Sequence, residues 1–183
     1  DGGRVVLAEG ALPGERVVVE LGVDKPTLAR GVAIEVLRAS PDRVEPPCPE
    51  ALAGCGGCDL QHAGTELQRQ LKAEVVRDAL ARIGRLPDVR VDQGEHLSTS
   101  DHRTVLRCAV RDGRAGLRRR RSTEVHVLDR CLVAHPLVEQ IVAEGRFPGA
   151  EEIIVRVGAR TGERMVVVSP TVGDAVVPPG VAL

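Results

Sequence analysis

Cys48, Cys55 and Cys58 fall within eleven residues, and Cys131 follows 73 positions after Cys58. Four thiolates are what a tetrahedral metal ion or a cubane cluster needs. Cys55-Gly-Gly-Cys58 can curl around an inorganic centre, because Gly56 and Gly57 carry no Cβ to obstruct the turn. Glycines also leave backbone N–H groups near the sulfurs, where they tune a bound centre. Cys48 adds a third ligand from the same loop, and Pro46, Pro47 and Pro49 stiffen its approach. Cys48, Cys55, Cys58 and Cys131 are therefore expected to be metal ligands.

Spacing bears on which centre they hold. Zinc sites usually pair two Cys-x-x-Cys or Cys/His units, whereas three close cysteines and one distant one fit a [4Fe-4S] cluster better. Structural zinc stays open as the rival. The fifth cysteine, Cys108, lies in the strand-like run Thr-Val-Leu-Arg-Cys-Ala-Val and reads as a small core residue. Asp59, Gln61 and His62 follow the last loop cysteine, where short polar residues usually satisfy backbone groups of a turn.

A second chemical feature lies between His102 and Cys131. Nine arginines and three acids there give 9 − 3 = +6, although the whole chain carries 25 − 26 = −1. Arg118-Arg119-Arg120-Arg121 in a hairpin would alternate between faces and present at least two guanidiniums together. Such a patch suits phosphate, because each neutralised phosphate releases counterions. Arg103, Arg107, Arg118, Arg119, Arg120 and Arg121 are the expected RNA contacts. With one Phe, no Tyr and no Trp, any base stacking must use Arg or His planes.

The elements that must position these groups read as α+β. Residues 4–8, 16–21 and 28–39 are expected strands, with Gly31 a candidate bulge, and suggest part of a small barrel. Residues 40–47 read as a linker. A helix is expected over 66–83, capped by Thr65 with Gln68, its apolar face formed by Leu67, Leu71, Val75, Ala79 and Ile83. Strands follow at 89–95, 104–110, 114–119 and 124–128, with a hairpin turn at Asp112-Gly113. A helix opened by Pro136 runs to Glu144, and 152–158 with 164–168 form another hairpin. The expected architecture is an incomplete oligonucleotide-binding-type β-barrel followed by a mixed domain with an antiparallel sheet and two helices.

Composition narrows the function classes. No run of eighteen apolar residues exists, so no membrane span is expected. The polar start and odd cysteine count argue against secretion and a disulfide framework, and for a reducing, cytoplasmic setting. No glycine-rich nucleotide loop, P-loop or serine nucleophile elbow is present. No catalytic centre of its own is expected, and the rivals for such a chain are a zinc-containing RNA-binding module and an iron–sulfur electron carrier.

Cys48-x6-Cys55-Gly-Gly-Cys58-Asp-Leu-Gln-His62, followed by Gln68 and Lys72, resembles the iron–sulfur loop of the RNA (uracil-5-)-methyltransferase family. Arg103-Thr-Val-Leu-Arg107, Gly116-Leu-Arg-Arg and Val127-Leu-Asp-Arg-Cys131-Leu-Val-Ala-His-Pro136 resemble that family's central domain, where Cys131 matches the fourth cluster cysteine. Ala11-Leu-Pro-Gly-Glu15-Arg-Val and Ser40-Pro-Asp-Arg-Val44 are similar to its TRAM domain. The resemblance implies a TRAM-like barrel over 1–44, incomplete at its N-terminus. It implies a cluster loop and central RNA-binding domain over 45–183, incomplete at its C-terminus. It implies a whole enzyme that moves a methyl group from S-adenosylmethionine to carbon 5 of a uridine in rRNA or tRNA. The domain that binds S-adenosylmethionine and carries the catalytic cysteine and base is expected to be missing here, and no residue of this chain inherits those roles. No protein partner is implied.

Overall fold

The computed structural model describes residues 3–183. The chain divides into two compact units, one formed by residues 1–46 with 59–94, the other by 47–58 with 95–183. The cysteine loop and the arginine-rich segment thus share one unit.

The first unit holds β1 (Val5–Glu9), β2 (Arg16–Asp24), β3 (Leu28–Arg38) and α2 (Thr65–Arg82). Its sheet has the order β1-β3-β2, with β1 parallel and β2 antiparallel to the central strand. Among the described residues it is an open three-stranded sheet. The irregularity expected at Gly31 lies across the ladder: the register slips between Leu21 and Val23, leaving Gly22 extra. Gly31 is needed for a different reason, since a Cβ there would run into the Glu20 carbonyl oxygen.

Helix α2 corrects two expectations. Gly64, not Thr65, occupies the N-cap, with no side-chain cap bond. Gln68 does not close a capping box; its Nε2 donates to the Ala63 carbonyl at 2.9 Å. The expected apolar face is not a buried stripe either, because Val75 is 68% and Ile83 84% exposed. Residues spaced by four advance about 400°, so each step drifts about 40° around a helix of 3.6 residues per turn. Over four steps from Leu67 to Ile83 the row has crossed to the other side.

The second unit holds α1 (Pro49–Leu52), β4 (Val105–Arg111), β5 (Arg114–Arg118), β6 (Val125–Val127), α3 (Pro136–Glu144), β7 (Glu152–Val157) and β8 (Arg164–Ser169). The five strands form an antiparallel sheet in the order β6-β5-β4-β7-β8. The turn at Asp112-Gly113 forms as expected, with φ of 52° and 70° matching the two positive values of a type I′ hairpin. Helix α3 keeps its expected bounds; Pro136 occupies its first turn and the His135 side chain accepts from Leu137 N–H. Residues 89–95 are not a strand. Their alternation has no neighbouring strand to pair with, and a lone extended segment is not stable in water. The short helix α1 was not anticipated, so the described residues hold three helices rather than two.

One face of this sheet builds the core. Leu106, Cys108, Ala115, Ile153, Val155 and Val166 pack with Leu128, Val138, Ile141 and Phe147, all nearly without solvent exposure. Cys108 is fully buried in that cluster, and burial pushes its thiol up to about 12. The α+β class holds for the chain. No described helix is long and apolar enough to cross a membrane.

Candidate cysteine centre and arginine surface

The cysteine loop is built by a short helix and a tight return. Cys48 precedes α1, and the Cys55 N–H donates to the Glu50 carbonyl at 2.8 Å, folding the loop back on its own start. The loop then docks on the arginine segment. Gly56 N–H donates to the Arg118 carbonyl at 3.1 Å, and Cys55 forms an antiparallel bridge with Arg119. The glycines are needed for this approach. A Cβ on Gly56 would stand 2.5 Å from the Arg118 carbonyl oxygen, and one on Gly57 would stand 2.6 Å from Leu117 Cδ1.

Two of the expected RNA-contacting arginines turn out to hold this loop. Arg119 Nη1 donates to the Ala53 carbonyl at 2.9 Å, and Arg120 Nη2 donates to the Cys58 carbonyl at 2.6 Å. Arg119 also pairs with Glu124 at 3.3 Å. The alternation expected for Arg118–Arg121 stops at Arg118, where β5 ends; Arg121 sits in the following turn with φ of 50°.

The Cys131 segment is held by two carboxylates not expected from the sequence, one from the cysteine loop and one from α3. Glu50 of α1 meets His126 Nε2 with Oε2 at 2.6 Å and accepts the Arg130 N–H on Oε1 at 3.2 Å. Glu139 of α3 accepts the Cys131 N–H at 3.2 Å. The only signal for Glu50 was its position two residues after Cys48. Nothing local marked His126 as its partner, 76 residues away.

All five cysteines are free thiols, with Cys48 and Cys131 buried and Cys55 and Cys58 half-buried. Burial raises Cys55, the Gly57 N–H lowers it, and nearby Cys58, Cys48 and Glu50 raise it again. Burial likewise raises Cys131, against the N–H groups of Ala134 and Val133, with Cys58 raising it and Arg103 lowering it. Among the described residues no three His, Cys, Asp or Glu side chains stand close enough to grip a single metal ion.

Arg103 lies beside Cys131, half-buried, its N–H donating to the Val133 carbonyl at 2.8 Å. Arg107 projects from β4 and pairs with Glu152 at 3.5 Å. Arg118 is exposed at the end of β5. Asp59, Gln61 and His62 begin the segment that belongs to the first unit, where the His62 carbonyl accepts the Val44 N–H at 3.0 Å.

A Streptomyces avermitilis protein named an uncharacterized RNA methyltransferase is 40% identical over 187 aligned positions, covering 93% of this chain and 43% of the relative. The 23S rRNA (uracil(1939)-C(5))-methyltransferase RlmD of Halomonas elongata is 39% identical over 149 positions, covering 76% of this chain and 30% of its own. This chain belongs to that RNA methyltransferase family. It spans less than half the length of these members. The fold is shared more widely: the Pyrococcus abyssi tRNA (uracil-54, C5)-methyltransferase, solved in complex with S-adenosyl-L-homocysteine, superposes with a TM-score of 0.60 at 21% identity. That match covers 92% of this chain and 43% of the archaeal one. No protein-family model matches the chain.

Proposed function

We propose that this chain is the RNA-gripping and cluster-bearing part of an S-adenosylmethionine-dependent enzyme that methylates carbon 5 of a uridine in rRNA or tRNA. The observation that carries the reading is the similarity to RlmD across three quarters of the chain, with all four loop-type cysteines gathered in one unit. Residues 1–44 act as a TRAM-like, oligonucleotide-binding-type barrel portion, and 45–183 as the cluster loop and central RNA-binding domain. The basic segment from Arg103 to Arg121 supplies the RNA-facing charge, with Arg119 and Arg120 spending theirs on the cysteine loop. S-adenosylmethionine is bound by a domain other than these residues, and the setting is cytoplasmic.

Cys48, Cys55, Cys58 and Cys131 would hold a [4Fe-4S] cluster. The donor set fits: four thiols, buried or half-buried, with backbone N–H groups of Gly57, Val133 and Ala134 aimed at sulfur. Three close cysteines with one distant partner favour a cluster over zinc, whose ligands usually come as two close pairs. When bound, the cluster would staple the loop to the sheet, because a closed long loop restricts the unfolded chain.

The test is metal and sulfide analysis of anaerobically prepared protein, followed by RNA binding at graded salt. Iron with acid-labile sulfide and a brown colour is the expected result. Colourless protein carrying zinc would overturn the cluster. A reversible redox couple with no salt-dependent RNA binding would mark an electron carrier and overturn the RNA role.

A further inference from the structure

The core-forming side of the five-stranded sheet is covered by α3 and Phe147, and the other side is open. Register decides which residues share that open side, because paired residues on neighbouring strands point the same way. Val105 pairs with Arg156, which pairs with Met165; Arg107 pairs with Ile154, which pairs with Val167. On β5, Arg118 lies two residues past Gly116, which pairs with Ala109, so it shares that side at the end of the strand, where its carbonyl accepts the Gly56 N–H of the cysteine loop. The open side therefore carries Arg118, Arg107 and Arg156 around a floor of Val105, Ile154, Met165 and Val167. The floor is wet: Val105, Met165 and Val167 are 45%, 41% and 48% exposed.

The charges on this side are unevenly committed. Arg111 pairs with Asp112 and Glu124, and Arg114 with Asp129. Arg118 and Arg156 have no ion-pair partner among the described residues. Arg107 has only the 3.5 Å contact with Glu152, both side chains well exposed, which is worth little in water. The charges named on this side sum to 5 − 4 = +1, and Arg107, Arg118 and Arg156 are the weakly committed ones around its aliphatic floor.

We infer that the open sheet face, with Arg107, Arg118 and Arg156 as its phosphate contacts, is a docking surface for single-stranded RNA. The inference rests on the RNA reading above and sharpens it. Arg156 joins the contact set, while Arg119 and Arg120 leave it, because they hold the cysteine loop. Positive charge selects a polyanion, and diagonal neighbours such as Arg107 and Arg156 stand about 7–8 Å apart, close enough for one strand to engage both. The aliphatic floor can meet only bases that are free of a duplex, whose edges and faces are otherwise hidden. With no aromatic side chain on the face, stacking falls to guanidinium planes, so sequence preference should be weak.

The experiment is a salt titration of RNA binding by the full chain, using a single-stranded uridine-containing oligonucleotide and a duplex of equal length. The Arg107→Ala, Arg118→Ala, Arg156→Ala triple variant is compared with the Arg119→Ala, Arg120→Ala pair, and each is melted in parallel. The triple variant should lose about 2 from the slope of log affinity against log salt, since each single-strand phosphate contributes about 0.7. Its melting temperature should stay within a degree or two of the parent. The pair should melt lower and bind with a nearly unchanged slope. A parent slope preserved in the triple variant, or a duplex bound as tightly as the single strand, overturns the inference while leaving RNA binding elsewhere on the chain intact. A triple variant that melts lower without a change in slope assigns the face to protein packing and overturns it as well. A parent that binds no RNA with salt dependence sinks both this inference and the reading beneath it.

Discussion

Arg43 grips Glu15 with two nitrogens, Nε on Oε1 and Nη2 on Oε2, each at 2.6 Å. Glu15 is the centre of a small lock in the first unit. It also accepts the N–H groups of Leu12 and Ser40, so one carboxylate ties the turn before β2 to the segment after β3. Arg43 reaches on to the Gly10 carbonyl at 2.6 Å. The bidentate pairing explains why an arginine rather than a lysine serves here.

This lock gives the first unit an acid-sensitive seam. The Arg43 bond holds Glu15 at about 2, well below its ordinary 4.5. The folded form therefore releases this proton more readily than the unfolded chain. The carboxylate supports folding above about pH 4.5, and that support drains away as pH falls toward 2. Thermal melts of the parent and Glu15→Gln at stepped pH should show a gap that is widest near neutrality and closes on the acid side. A gap independent of pH would mean that the carboxylate charge contributes nothing.

Close backbone approach makes a second prediction. A methyl group on Gly56 has the Arg118 carbonyl at 2.5 Å and the Arg120 nitrogen at 2.9 Å, and both are main-chain atoms that cannot swing aside. Gly56→Ala should cost about 1–3 kcal/mol, the usual penalty for overpacking. Gly94 has nothing within 4 Å, so Gly94→Ala should change stability by less than about 0.5 kcal/mol. Denaturant titration of both variants measures the difference directly.

Cys108 should be the last thiol to react. It is fully buried and its thiol is pushed up to about 12, so almost no thiolate exists at neutral pH. Native protein stripped of metal and treated with iodoacetamide at pH 8 should show label at Cys55 and Cys58 by peptide mass spectrometry, with Cys108 modified only after denaturation. Early labelling of Cys108 would place it outside the core.

These contrasts show what could be read before the structure. Asp112-Gly113 and the Pro136 helix start were legible because their physics is local: two positive φ values, and a proline whose missing N–H costs nothing at a helix start. The four cysteines were legible as a group by type and spacing. The two roles within Arg118–Arg121 were not, because what separates Arg118 from Arg119 and Arg120 is the arrival of a loop some sixty residues earlier in the chain. The strand expected at 89–95 failed for the same reason in reverse: alternation was present, but no neighbour came. The apolar face of α2 failed by simple geometry, since a strict spacing of four does not stay on one side.

Glu50 offers the sharpest test of how the distant cysteine is kept near the loop. Its carboxylate and the His126 ring are both largely buried, at 13% and 12% side-chain exposure, so they have little water to fall back on. Glu50→Ala leaves the His126 ring and the Arg130 N–H unpaired in that setting, at a cost of about 1–3 kcal/mol. Glu50→Gln keeps the shape and one acceptor oxygen. In metal-free protein, Glu50→Ala should speed iodoacetamide labelling of Cys131 several-fold, with Glu50→Gln falling between it and the parent. In anaerobically prepared protein the same order should appear as falling iron per chain. If Cys131 labels at the parent rate in Glu50→Ala, the carboxylate does not tether that segment, and Glu139, which holds the Cys131 N–H from α3, must do so alone.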